Sequence, residues 1–246
     1  MNGRMAELIW LRIRKVIAAL QSREGRRALR RGIAPCIEHR HLVALPVAHV
    51  LDIGANRGQF ALFARQTFGV GRIDAFEPLA ECANDIRAIL PFATVHQVAL
   101  SDRVGEQNFH ISRANDSSSL REITPKQTEH FPGTEEVATR SVPTTTFEAW
   151  SKGRSFQRPA LAKIDVQGSE INVIRGMGSA LERIDYVYAE LSFVELYSGQ
   201  ALAAEIIAEM HEAGFILTGL YNTKRDGMQT IQADALFCRR DAGAKE

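Results

Sequence analysis

Ala48-His49-Val50-Leu51-Asp52-Ile53-Gly54-Ala55-Asn56-Arg57-Gly58 is the stretch on which the reading of this chain turns. Residues 48–55 form a short, mostly apolar run that ends at glycine, the pattern of a strand buried in a parallel sheet. Residues 59–68 then place apolar side chains at helical spacing and stop at Gly69. Glycines between such a strand and helix let the backbone approach a ligand closely, and the helix N-terminus favours a carboxylate or phosphate. The spacing narrows the ligand. A dinucleotide fingerprint reads G-x-G-x-x-G, whereas this turn reads D-x-G-x-x-x-G and lacks the tight glycine pair that lodges a pyrophosphate. The turn suits a nucleoside without pyrophosphate, such as S-adenosylmethionine (SAM), and argues against NAD.

Working outward, the alternation continues. Residues 72–78 read as a second strand, 79–90 as a helix, 94–100 as a third strand, 161–166 as a strand, 169–177 as a helix, 184–191 as a strand and 202–213 as a helix. Residues 215–220 and 233–239 are two final strands whose connection leaves no room for a crossover helix, so they pair antiparallel. The predicted fold is α/β: a Rossmann-like, mostly parallel sheet ending in an antiparallel hairpin, the plan of SAM-dependent methyltransferases. Residues 103–145 break the rhythm with a strand-like 107–111, a polar stretch 115–119 and an expected mobile lid over 113–133. Two regions are predicted, a basic helical extension over 1–45 and a methyltransferase domain over 46–246.

Acids stand where the cofactor site is expected. Asp52 is placed to fix the ligand's ammonium group, directly or through water. Glu77, 23 positions after Gly54 and before Pro78, is placed to accept from the ribose hydroxyls. Ser101 and Asp102, ending the third strand, are placed to meet the adenine amino group. With Gly54, Asn56 and Gly58, these are the predicted cofactor-binding residues; each acid alone could equally close a turn.

The 246-residue chain carries a net charge of +1. Residues 1–31 hold nine Arg and Lys against Glu7 and Glu24, a net +7, which leaves the remainder at −6. An acidic body does not suit a nucleic-acid clamp. The three cysteines, Cys36, Cys82 and Cys238, have neither metal-ligand spacing nor a disulfide framework; reduced thiols and a cytoplasmic location are expected. No apolar run reaches the ~18–20 residues of a membrane span. Residues 7–31 read as one helix with Ile9, Ile13, Val16, Ile17 and Leu20 on one face beside arginines. Such a helix lies on a membrane surface, packs over the core, or forms a dimer contact.

The chain resembles the FkbM-type methyltransferases. The resemblance rests on VLDIGANRGQF (50–60), AFEP (75–78), VALSD (98–102), NDSSSL (115–120), SVPTTTFEAW (141–150), KIDVQGSEINVIRGM (163–177), AELSFVELYSG (189–199) and DALF (234–237). It covers about residues 48–240 and leaves the N-terminal 45 outside. It implies methyl transfer from SAM, usually to oxygen, often on sugars or natural products.

Catalytic candidates come from strand ends in the second half. Asp165, after Lys163-Ile164, is the expected general base or acceptor-positioning group, and Glu190 the second candidate. Glu170 reads either as functional or as a helix cap, and Lys163 as a partner of Asp165 or a structural ion pair. No metal is expected, because Asp165 and Glu190 lack a third ligand. His130 lies in the lid and reads as a base or a solvated histidine. Four functions compete: O-methylation of a sugar, glycolipid or similar metabolite; N- or carboxyl-methylation; non-catalytic binding of SAM or a partner; and methylation of nucleic acid. The first is favoured, since the polar 115–119 stretch matches a hydroxyl-rich acceptor. Asn-Pro-Pro-Tyr, typical of base methylation, is absent.

Overall fold

The computed structural model describes residues 3–240. The chain opens with α1 (Gly3–Leu20) and α2 (Arg23–Leu29). The single helix expected over 7–31 breaks at Gln21-Ser22, because the Ser22 hydroxyl accepts from Gly25 N at 2.9 Å and starts a new helix. Gly25 permits the sharp turn: a Cβ there would lie 2.1 Å from the Ala19 carbonyl oxygen. A 3₁₀ segment, Ile37–Ala44, leads to the sheet.

The alternating units follow as β1 (His49–Ile53), α3 (Gln59–Phe68), β2 (Arg72–Phe76), α4 (Ala80–Ile89) and β3 (Thr94–His96). The third predicted strand is cut in two. β4 (Ala99–Leu100) leaves the main sheet and joins β5 (Gly105–Ser112) and β6 (Glu136–Thr145) in a small second sheet, with α5 (Pro125–His130) between the last two. After α6 (Phe147–Ser151) come β7 (Ala160–Ile164), α7 (Glu170–Met177), β8 (Tyr186–Ser192), α8 (Ala203–Glu212), β9 (Phe215–Asp226) and β10 (Gln229–Arg239).

The main sheet has the order β3-β2-β1-β7-β8-β10-β9. Its first five strands are parallel, and β10 runs antiparallel to both β8 and β9. This is the predicted Rossmann-like architecture. The direction of the sheet order reverses between β1 and β7, which opens a crevice at their carboxyl ends.

Side-chain alternation splits the core in two. Leu51 and Ile53 face a cluster with Ile164, Ile174 and Met177, while Val50 faces Phe60, Leu161 and Tyr188. Ala28, Ile33 and Leu42 from the N-terminal segment belong to that second cluster. The segment therefore packs on the sheet face covered by α3.

The stretch 113–133, expected as a mobile lid, is a correction. It is tied into the fold: Ser119 pairs with His110, its hydroxyl donates to the Gln167 carbonyl at 2.6 Å, and Arg121 donates to the carbonyls of Ser198 and Gly199. Ser117, Ser118 and Ser119 are buried, because their hydroxyls and backbone serve this anchoring.

Candidate active site

The site grows from one close backbone approach. Gly54, at φ +75°, lies so near Asp165 that an added Cβ would stand 1.9 Å from the Asp165 carbonyl oxygen. Asp165 N in turn donates to the Ile53 carbonyl at 3.1 Å. The ends of β1 and β7 thus pinch together, and only glycine fits there. Asn56, also at positive φ, donates its N–H to Glu77 Oε2 at 2.9 Å, and Leu79 N donates to Oε1 at 2.8 Å. Burial pushes Glu77 up to about 7, against the lowering effect of these two bonds.

A slot opens beside this turn, lined by Gly54, Asn56, Glu77 and Pro78 on one side and by Leu79, Leu100, Phe109 and Leu120 on the other. Apolar walls with a buried acid at the edge suit a nucleoside, whose base is flat and whose ribose donates hydrogen bonds. The other predicted cofactor residues lie outside the lining. Asp52 is fully buried within β1. Gly58 caps α3 and packs against Ile86 and Ile89. Ser101 and Asp102 hydrogen-bond to each other, Gln107 donates to Ser101, and Asn172 donates to Asp102.

Two further cavities adjoin the slot. One is lined by Lys15, Cys36, His39, Gln59 and Lys163; the other, of about 720 Å³, by Leu11, His39, Gln127, Glu190, Lys224 and Asp234. Asp165 and Asp116 line all three cavities and so mark their junction. Asp116 comes from the polar 115–119 stretch. Burial, and then the nearby charge of Asp165, raises its pKa above the usual carboxylate range.

The acids at the junction are linked by one amide. Gln167 Nε2 donates to Asp165 Oδ1 at 2.7 Å and to Glu190 Oε2 at 2.9 Å. Gln167 Oε1 faces the Tyr197 hydroxyl at 2.8 Å, which fixes the orientation of the amide. Glu190 also accepts from Gln232 Nε2 at 2.9 Å. Burial, followed by the charges of Asp165 and Asp234, raises Glu190 well above its ordinary value. Lys163 Nζ donates to the Gly54 carbonyl at 2.9 Å and stands 3.5 Å from Asp52 and 3.4 Å from Asp165. Burial works to discharge this lysine, but Asp165 and Asp52 outweigh it and hold its pKa above the usual value.

Glu170 holds the turn that leads into α7 rather than capping the helix: its Oε1 accepts from the backbone N of Val166 and of Gly168, and burial pushes it up to about 7. His130 faces Asp226 at 3.7 Å and lines none of the three cavities. Sequence reasoning missed Gln167, although it lies within KIDVQGSE. It also missed a network around His39. Tyr188 donates to Asp234 at 2.8 Å, Asn222 donates to the same carboxylate at 2.7 Å, and His39 Nδ1 lies 3.0 Å from the Tyr188 hydroxyl. These four residues come from four separate segments, so no local pattern announces them.

Comparison with known proteins bears on this geometry. The model of the FkbM methyltransferase domain matches residues 52–217. A curated relative, the 2-O-methyltransferase NoeI of Sinorhizobium fredii, is 30% identical over 196 residues, covering 72% of this chain and 78% of its own. Among solved structures, a TehB-like SAM-dependent methyltransferase from Corynebacterium glutamicum aligns with 97% of this chain and 100% of its own, at 10% identity and TM-score 0.45. Magnesium protoporphyrin IX methyltransferase from Synechocystis, solved with bound SAM, aligns with 82% of this chain and 80% of its own, at 10% identity and TM-score 0.43. The stretch matched by the family model begins at Asp52, runs through the glycine turn, Glu77 and the Asp165 strand end, and closes in β9, so that the chain belongs to the FkbM family of SAM-dependent methyltransferases.

Proposed function

We propose that the enzyme methylates a hydroxyl of a sugar, carried free or on a lipid. The observation that carries this reading is Asp165, which lines both the nucleoside slot and the adjoining 720 Å³ cavity. When bound, SAM supplies an electrophilic methyl group on a sulfonium. The chain's own task is to hold an acceptor oxygen in line with it, and alignment of this kind accounts for much of the rate gain in such displacements. Gly54, Asn56, Glu77 and Pro78 hold the nucleoside. Asp52 and Gly58 support the turn from behind, while Ser101 and Asp102, held by Gln107 and Asn172, follow Leu100 of the slot wall. Asp165 is the base or the acceptor-positioning group, with Glu190 beside it.

Several features favour a hydroxyl-rich acceptor. The larger cavity is lined by Asp116, Gln127, Gln167, Asn222, Gln232 and Asp234, polar side chains able to donate or accept hydrogen bonds. The relative from Sinorhizobium fredii is named a 2-O-methyltransferase, which supports oxygen as the acceptor atom. The test is incubation with methyl-labelled SAM and sugar or glycolipid fractions. Label should appear in base-stable ether linkages. Asp165→Asn should lower turnover by ~10²-fold with SAM affinity kept. Label found only in esters or amines would overturn the hydroxyl assignment.

A further inference from the structure

The outer face of α1 is apolar and uncovered. Ile9, Trp10, Ile13, Val16, Ile17 and Leu20 are each 44–62% exposed. At ~100° per residue these six fall within an arc of roughly 120°. Arg12 and Arg14 flank that arc on either side. The opposite face is turned to the protein: Ala19 is fully buried, Lys15 pairs with Glu38 at 2.8 Å, and Leu11 lines the 720 Å³ cavity. An amphipathic helix on a soluble core turns its apolar stripe inward. Here the face of Leu11, Lys15 and Ala19 is packed instead, and a contiguous apolar stripe meets solvent, which marks an interaction surface.

Charge selects the partner. Arg12, Arg14, Arg23, Arg26 and Arg30 are exposed or half-buried and make no ion pair among the described residues. Residues 1–31 carry +7, whereas the rest of the chain is acidic. Pairing α1 with α1 of a second copy would bring two strongly positive segments together. An anionic bilayer instead accepts the apolar stripe among its acyl chains and the arginines among its headgroups.

We propose that α1 docks the enzyme on an anionic membrane surface, with Ile9, Trp10, Ile13, Ile17 and Leu20 entering the leaflet. The docked helix contributes Leu11 to the acceptor cavity, so the cavity lies at headgroup level. The acceptor is then a sugar carried on a lipid; this last step rests on the sugar-hydroxyl reading above.

The experiment is co-sedimentation of the full chain with vesicles of phosphatidylcholine alone and of phosphatidylcholine mixed with phosphatidylglycerol. Binding is expected to the mixed vesicles only, to weaken with salt, and to shift Trp10 emission to the blue. Ile13→Asp with Ile17→Asp should weaken binding by about tenfold or more, as loss of the inserted stripe requires. Both positions are exposed, and an unchanged SAM-induced rise in melting temperature will show that the variant is folded. No binding of the intact chain to mixed vesicles overturns the proposal. So does binding that survives the double substitution, or a dimer in light scattering that the double substitution disperses while vesicles capture nothing. The assay contains no acceptor and needs no turnover, so its failure is distinct from failure of the sugar reading.

Discussion

Lys163 Nζ stands 3.4 Å from Asp165 Oδ2, two positions along the same strand end. Register explains why it also meets Asp52. Asp52 of β1 lies directly beside Lys163 of β7, which lies beside Tyr188 of β8, so all three side chains leave the same face of the sheet. One buried ammonium therefore serves a fully buried carboxylate behind it and a half-exposed one in front.

Removing that ammonium should be costly. In Lys163→Met, Asp52 is left fully buried without the only charged partner it has among the described residues, and the Ala61 backbone amide is the remaining support for its carboxylate. Breaking one side of a buried pair costs about 3–5 kcal/mol. Urea denaturation should show that loss, and Asp52→Asn in the same chain should restore part of it. A single variant as stable as the parent would mean that Asp52 is carried neutral in the fold.

Gln167 is the second relationship to test. Its backbone sits at φ +55° and its amide spans Asp165 and Glu190. Gln167→Asn keeps an amide and suits the left-handed backbone, but the shorter side chain cannot reach both acids. Turnover should fall by about tenfold or more through lost orientation, while urea stability falls by only about 1–3 kcal/mol for the buried hydrogen bonds that are lost. Stopped turnover together with a large stability loss would make Gln167 a structural residue rather than a positioning one.

The pH dependence of cofactor binding follows from Glu77. Its carboxyl is raised to about 7 by burial, so near neutrality the unliganded protein holds it partly protonated. In the proposed site the ribose hydroxyls donate hydrogen bonds to Glu77 and favour its ionised form. Binding must then release protons, and SAM affinity must rise as pH increases through about 7. Calorimetry in buffers of different ionisation enthalpy will read the released protons directly. Glu77→Gln should bind more weakly and with a flat pH profile; a sloping profile in that variant would move the titration to another group.

Gly54→Ala probes the pinch between β1 and β7. The added methyl would overlap the Asp165 carbonyl and force an unfavourable positive φ. Overpacking of this kind costs about 1–3 kcal/mol, and the left-handed backbone adds to it. The melting temperature should drop and the SAM-induced rise should disappear. A variant that still shows the full rise would place the cofactor away from this turn.

Much of this was written locally. The glycine turn at Gly54, the alternation of buried strands with helices and the short link before the last strand are near-neighbour patterns, and they determined the Rossmann-like sheet and its antiparallel end. The position of Glu77 at the second strand end followed from the same count. Other features waited for long-range pairing. Ala99 and Leu100 continue a strand in the sequence, yet their partners Thr144 and Thr145 draw them into a different sheet. The polar stretch 115–119 reads as a loose lid, yet its serines are engaged elsewhere: Ser119 by His110 and Gln167, Ser118 by Ser112 and Ser117 by Tyr197.

The site divides the same way. The sequence by itself placed Glu77 and Asp165 directly after the strands they follow, because strand ends are visible as breaks in apolar runs. Only the tertiary structure decided that Asp52 lies behind Lys163, that Gln167 joins Asp165 to Glu190, and that Leu11 and His39 of the N-terminal segment line the 720 Å³ cavity. The physical reason is that periodicity reports how each residue is buried along its own element. Which residues share a face across elements is set by strand register and helix packing, which are properties of the folded chain as a whole.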